Sequence, residues 1–168
     1  MDCLNDAVSL AVVKCPPDPS LDTDLLYFTE IIVCDELEIP PQKPDKEEIT
    51  NVIMNIVVTD IEQITVDLGD GVIRYKVAVS GTIKLGIEYS ALVPDQQVHF
   101  AHFEIPFQAV IGERPCDPLT NRGLIDDPAF DIANYQVNVC LEHDQYHQLN
   151  HRTIKAILVL LLWLEPTP

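Results

Sequence analysis

The sequence is poor in cations, in glycine and in aromatic residues. Ten Lys and Arg stand against 27 Asp and Glu, for a formal charge of −17 over 168 residues. Binding to a nucleic-acid backbone or an anionic membrane depends on cations that displace counterions, so neither is an expected partner. Long hydrophobic runs are absent. The longest uncharged apolar stretch, Ala156 to Leu164, is about half of the ~20 residues that a membrane-spanning helix needs, and no membrane span is expected. No C-x-x-C pair, no Gly-x-Ser-x-Gly and no glycine-rich phosphate loop occurs, so the usual zinc, redox, hydrolase and nucleotide signatures are all missing. The first residues, Met-Asp-Cys-Leu-Asn-Asp, lack the cationic and apolar parts of a secretory signal, which predicts synthesis in a cytosol.

Apolar residues are plentiful, at 47%, and the length suits one folded domain. Thirteen prolines divide the chain. Residues 1–20 end in Cys15-Pro16-Pro17-Asp18-Pro19 and read as an extended, proline-stiffened arm, which leaves 21–168 as a single β domain. Further breaks fall at Pro40-Pro41-Gln42-Lys43-Pro44 and in the loop from Gly112 to Ala133.

Between the breaks the hydrophobic period is two. From Ile73 through Val77, Val79, Ile83, Leu85 and Ile87 to Tyr89 the odd positions are apolar and the even ones polar, with Gly81 as an expected bend or bulge. Ile31, Val33, Leu37 and Ile39 repeat the pattern, as do Tyr135, Val137, Val139 and Leu141. Parity changes around Thr59-Asp60, and again near Ala101 within Val98 to Phe107, predict β-bulges. Ile154 to Leu164 is apolar on both parities and reads as a strand buried on both faces. A short helical turn is expected over Asp45 to Asn51. The fold class is therefore all-β: an antiparallel β-sandwich or Greek-key barrel with an extended N-terminal arm.

Few polar groups converge on chemistry. His143, His147 and His151 recur every fourth residue, a metal-binding spacing on a helix, yet they are expected in a hairpin connection that splays them apart. They are weak metal candidates, and no metal, cofactor or catalytic residue is expected. Asp67-Leu68-Gly69-Asp70-Gly71 reads as a strand-connecting turn rather than a calcium loop. The cysteines carry more information. Cys34 and Cys140 lie on the polar parity of their strands, Cys116 in the proline-rich loop, and Cys3 and Cys15 on the arm. An odd count of thiols at outward positions predicts disulfides between subunits, once the protein leaves a reducing cytosol. Val8, Leu10, Val12 and Val13 of the arm are candidates for strand addition to a neighbouring sheet edge.

From Ile31 to Leu164 the order of features resembles the SPOCS domain family of spore coat and spore-envelope morphogenetic proteins. The likeness rests on Ile39-Pro40-Pro41-Gln42-Lys43-Pro44-Asp45 before Ile49 and Val52, then Val79-Ser80-Gly81-Thr82-Ile83 leading to Ile87-Glu88-Tyr89. It continues in Val98-His99-Phe100 and Phe103-Glu104-Ile105-Pro106-Phe107. The resemblance implies a non-enzymatic assembly module of the spore envelope. The single copy, the lack of a LysM-like tail and the cysteine-bearing arm point to a building block that polymerises with copies of itself, with other spore-envelope proteins as further partners. It would be made in the mother-cell cytoplasm and end at the spore surface in a coat, exosporium or appendage. The alternative is an adaptor that recognises a protein or glycan without polymerising.

Overall fold

The computed structural model describes residues 15, 25–95, 97–113 and 123–168. Six strands, β1 (Tyr27–Glu38), β2 (Lys46–Asp67), β3 (Ile73–Ala91), β4 (Val98–Glu113), β5 (Tyr135–Gln148) and β6 (Thr153–Pro166), account for nearly all of it, with one 3-10 turn at Ile132–Asn134. All neighbours are antiparallel, and the sheet order is β2-β3-β4-β1-β6-β5. The hairpin-linked β2, β3 and β4 lie side by side and β1 sits beyond β4, which is a Greek key. The all-β expectation is met by one sheet curled until its halves, β2-β3-β4 and β5-β6-β1, enclose a common core.

The halves meet at a narrow hinge. β1 pairs with β4 only at Tyr27–Glu113 and Phe28–Gly112. Tyr27, Tyr75, Phe130 and Tyr135 pack beside this corner, with Tyr27 edge-on to Phe130 and Tyr135 at ring separations of 5.4 and 5.7 Å. The period-two segments place their apolar residues inward: Val77, Val79, Ile83, Leu85 and Ile87 of β3 face Ile154, Leu158, Leu160 and Leu162 of β6 in one buried cluster. Each such side chain contributes roughly 1.5–3 kcal/mol on burial, and the alternation leaves the other face to solvent.

Bulges and glycines set the curvature. The parity change at Thr59 is a register shift between Val58 and Asp60, so the bulge lies on β2 opposite Gly81 rather than at Gly81 itself. Gly81 serves a close approach instead: a Cβ there would lie 2.4 Å from both Phe107 Cζ and Val57 O. No bulge occurs near Ala101. β4 pairs with β3 in unbroken register from Val98 to Ile111, and Val98 and Phe100 are apolar residues on the outer face. Nor is 45–51 helical. Lys46 already starts β2, because the carbonyl of His151 accepts its N–H at 2.8 Å and β3 pairs with it at Ala91. In β6 the even positions are buried and the odd ones mostly half-covered, so burial on both faces is only partial.

The expected turn between β2 and β3 is present. Asp67 and Asp70 accept from Gly69 N and Val72 N, and Gly69 and Gly71 take positive φ. Across the molecule, the Pro-rich segment that follows β1 is clasped by Arg152 of the β5–β6 connection. Its guanidinium donates to the Asp45 carboxylate and to the carbonyls of Ile39, Pro40 and Lys43. The Tyr89 hydroxyl donates to Pro44 O at 3.1 Å, and the buried Lys46 ammonium donates to Asn150 O at 3.1 Å. Burial lowers the Lys46 pKa.

Candidate assembly surface

The structure joins two of the five predicted thiols. Cys15 and Cys140 form a disulfide within one chain, 125 residues apart in sequence, and Cys15 N donates to Leu141 O at 3.0 Å. Cys140 pairs in register with Leu161 on the outer parity of β5, as its position in the strand predicts, yet it is fully buried rather than exposed. Cys34 is a free thiol and exposed. It sits on the same outer face, opposite Ile157, while Cys140 lies opposite Leu161 on the other side of β6. Cys3, Cys116 and the strand-addition candidates Val8, Leu10, Val12 and Val13 fall outside the described residues, as does the boundary between arm and domain at residue 20.

The three histidines do not converge. β5 runs to Gln148, so His143 and His147 are strand residues rather than parts of a loop, and only His151 lies in the connection to β6. His143 and His147 project from one face, four residues apart, which is about 13 Å at the usual strand rise. His151 Nδ1 is instead 3.1 Å from Lys46 O. Among the described residues no group of three or more His, Cys, Asp or Glu side chains is arranged to hold a metal ion.

Surface features of another kind are present. β2 and β5 are the outermost strands of the sheet, and a long open strand edge is a template for pairing with another chain. On the outer face of β2-β3-β4, Gly86 leaves a depression of about 330 Å³ between Ile53 and His102, the residues paired on either side of it. Phe100 stacks on His102 at its rim, while Lys84 and Glu104 supply charge. A lone glycine between two apolar or aromatic neighbours was the available sequence signal for this feature, and the misread parity of Val98 and Phe100 obscured it.

The fold thus defines an all-β module whose exposed features, among the described residues, include its outermost strands, the Cys34 thiol and the Gly86 depression. Residues 45–113 match the family described as SipL, SPOCS domain, a span that takes in β2, β3 and β4. The match supports the likeness to the SPOCS family drawn from the sequence; Glu104-Ile105-Pro106-Phe107 lies within it, and of Lys43-Pro44-Asp45 only Asp45 does. No curated protein and no solved structure matches the chain. No helix among the described residues is long and apolar enough to cross a membrane.

Proposed function

We propose that this protein is a non-enzymatic structural subunit that assembles with copies of itself into a layer or filament of the spore envelope. The observation that carries this reading is the anchoring of Cys15. The disulfide to Cys140 and the hydrogen bond to Leu141 fix the base of the arm on the outer strand β5, so that the fourteen residues before it depart from a defined point on the surface. Those residues include Val8, Leu10, Val12 and Val13, which suit strand addition to a neighbour. Extended, they reach on the order of 45 Å at ~3.3 Å per residue, farther than the radius of a domain this size. With Cys15 and Cys140 paired inside the chain, links between subunits fall to the exposed Cys34 and to Cys3 and Cys116.

Synthesis in the mother-cell cytoplasm followed by exposure at the spore surface would supply first reducing and then oxidising surroundings for these thiols. Negative-stain images and size-exclusion chromatography of the purified chain test the proposal, with regular fibres or sheets as the expected result. Removing residues 1–14 should abolish them, and a chain that remains monomeric at every concentration would refute self-assembly.

A second reading, an adaptor that binds a protein or glycan, is favoured by the Gly86 depression with Ile53, Phe100 and His102 around it. A strictly monomeric chain that loses partner binding on Phe100→Ser would support the adaptor instead.

A further inference from the structure

Beyond its two-residue ladder with β4, β1 continues from Thr29 to Glu38 with β6 as its sole described ladder partner. β4 likewise runs from Val98 to Ile111 with β3 as its sole described ladder partner. The two strands are neighbours in the sheet order, yet for these stretches their facing edges share no ladder. The hinge at Tyr27–Glu113 holds one end, Ile39 packing with Tyr89 and Ala101 holds the other, and between them the inner side chains of both strands share the core. A groove of about 530 Å³ starts at Thr29 and Ile31 of β1, passes Gln108 and Val110 of β4 and continues across β3 to β2. A second depression of about 270 Å³ shares Thr29 and Val110 with it. Asp60 and Glu62 form an acidic rim on the first groove. Val110 is 49% exposed, while Ile31 and Val33 are only half-buried against the core.

Resting on the self-assembly reading above, we infer that this parting of β1 and β4 is the acceptor for the N-terminal arm of a second copy, which enters as an additional strand and pairs with both edges. An extended segment satisfies two rows of main-chain donors and acceptors at once, whereas addition at β2 or β5 satisfies one. The lengths agree. Ten residues of open β1 edge span about 33 Å, and the acid-free segment Ala7–Lys14 spans about 26 Å at the usual strand rise. The pattern agrees as well: Val8, Leu10 and Val12 share one parity, which would turn them toward Ile31 and Val33, while Ser9, Ala11 and Val13 take the other.

Hydrogen exchange of the full-length chain, read by mass spectrometry below and above its assembly concentration, tests the assignment. Exchange should slow by about tenfold or more in 8–14, 29–38 and 98–111 on assembly, and stay unchanged in 46–67 and 135–148. Thr29→Asp with Val110→Asp should raise the assembly concentration about tenfold or more, with thermal unfolding of the monomer unaltered, while Ile61→Asp and Ile64→Asp on β2 should not raise it. If the aspartates perturb folding, the exchange pattern of the unaltered chain decides. Protection that appears on β2 or β5 instead would overturn the acceptor assignment and leave self-assembly standing. Protection of 8–14 and of the groove that is already complete in the monomer would show that each arm fills its own groove, and would also overturn it. Failure to assemble at any concentration refutes the self-assembly reading itself.

Discussion

Arg152 Nη1 donates to Asp45 Oδ1 at 2.5 Å, which closes a clasp between two connections 107 residues apart in sequence. Three carbonyls, of Ile39, Pro40 and Lys43, accept from the same guanidinium at 2.8–3.2 Å. The Ile39-Pro40-Pro41-Gln42-Lys43-Pro44-Asp45 element, of which only Asp45 falls within the matched span, is therefore held in place by a residue of the β5–β6 connection. Its proline backbone cannot donate to a ladder, and Arg152 supplies the donors that such a segment's carbonyls need.

Replacing Arg152 with Lys should lower stability by about 2 kcal/mol, because one ammonium cannot reproduce a planar fork that serves a carboxylate and three carbonyls. Arg152→Ala should cost at least as much. Urea unfolding followed by circular dichroism gives the number, and a lysine variant within about 0.5 kcal/mol of wild type would show that the clasp contributes little.

The two faces of β3 should respond in opposite ways. Val77→Asp or Ile83→Asp places a carboxylate where the native side chain has no solvent exposure, and folding should be lost. Lys76→Ser or Lys84→Ser on the other parity should change stability by less than about 0.5 kcal/mol. Soluble expression with a β-type far-UV spectrum separates the two outcomes, and similar behaviour of both sets would contradict the facing of the strand.

Much of this architecture is legible in the sequence, because a sheet with one buried face writes its period directly into the order of side chains. The inward set of β3 and the bulge at Thr59 were readable for that reason. Parity misleads where apolar residues face outward for a local reason: Val98 and Phe100 look like a register change but stand on the outer face, Phe100 at the Gly86 depression. The run Asp45-Lys46-Glu47-Glu48 after a proline has the composition of a helix start, and only the distant pairing of Lys46 with Ala91 and His151 makes it a strand. The Arg152 clasp had no signal at all, since its partners are mostly main-chain carbonyls, which every residue possesses. Outward parity correctly marked Cys34 and Cys140. Which thiols pair depends on Cys15 meeting β5 at Cys140, and that is not a local property of either segment.

Glycine replacements should separate close approach from open space. Gly81→Ala meets Phe107 and the Val57 carbonyl at 2.4 Å, and Gly112→Ala meets the Gly123 carbonyl at 1.8 Å. Both should destabilise by about 2 kcal/mol or more, with Gly112 the worse because only backbone can yield. At Gly86 the nearest atom is 3.5 Å away, so Gly86→Ala should fold normally. Thermal melts of the three variants provide the comparison, and a stable Gly112→Ala protein would contradict the packing of Gly123 against β4.

The disulfide has two readouts. Under native, non-reducing conditions, iodoacetamide should label Cys34 while sparing Cys15 and Cys140. Cys15→Ser should lower stability by up to about 4–5 kcal/mol in the chain-entropy view, since the bridge closes a loop of well over one hundred residues. Tryptic mapping identifies the labelled site, and alkylation of Cys140 in folded, unreduced protein would rule out the pairing.

Alkaline pH should unfold the molecule through its buried tyrosines. Burial, with Tyr135, Glu113 and Asp127 nearby, raises the Tyr27 pKa from 10.0 to about 12. The fold thus favours the neutral phenol. Its contribution is fully present below about pH 10 and is lost as pH rises through about 12, because the unfolded chain releases the proton first. The loss from Tyr27 alone is on the order of 2–3 kcal/mol across that window. Tyr146, with Asp144 nearby, and Tyr89 are shifted upward mainly by burial and act in the same sense. Lys46 acts in the opposite sense: its lowered pKa makes stability rise with pH, but that rise ends near the ordinary value of 10.5. Stability should therefore fall steeply between about pH 10 and pH 12, and the fall should be shallower in Tyr27→Phe, which removes one of the three phenols. The measurement is urea unfolding at a series of alkaline pH values in a background with Cys3, Cys34 and Cys116 all replaced by Ser, which leaves no thiolate to attack the Cys15–Cys140 bridge. A pH dependence identical in Tyr27→Phe and in the unaltered phenol would show that Tyr27 ionises in the folded protein as readily as in the unfolded chain, and the enclosed aromatic corner at the β1–β4 hinge would then be wrong.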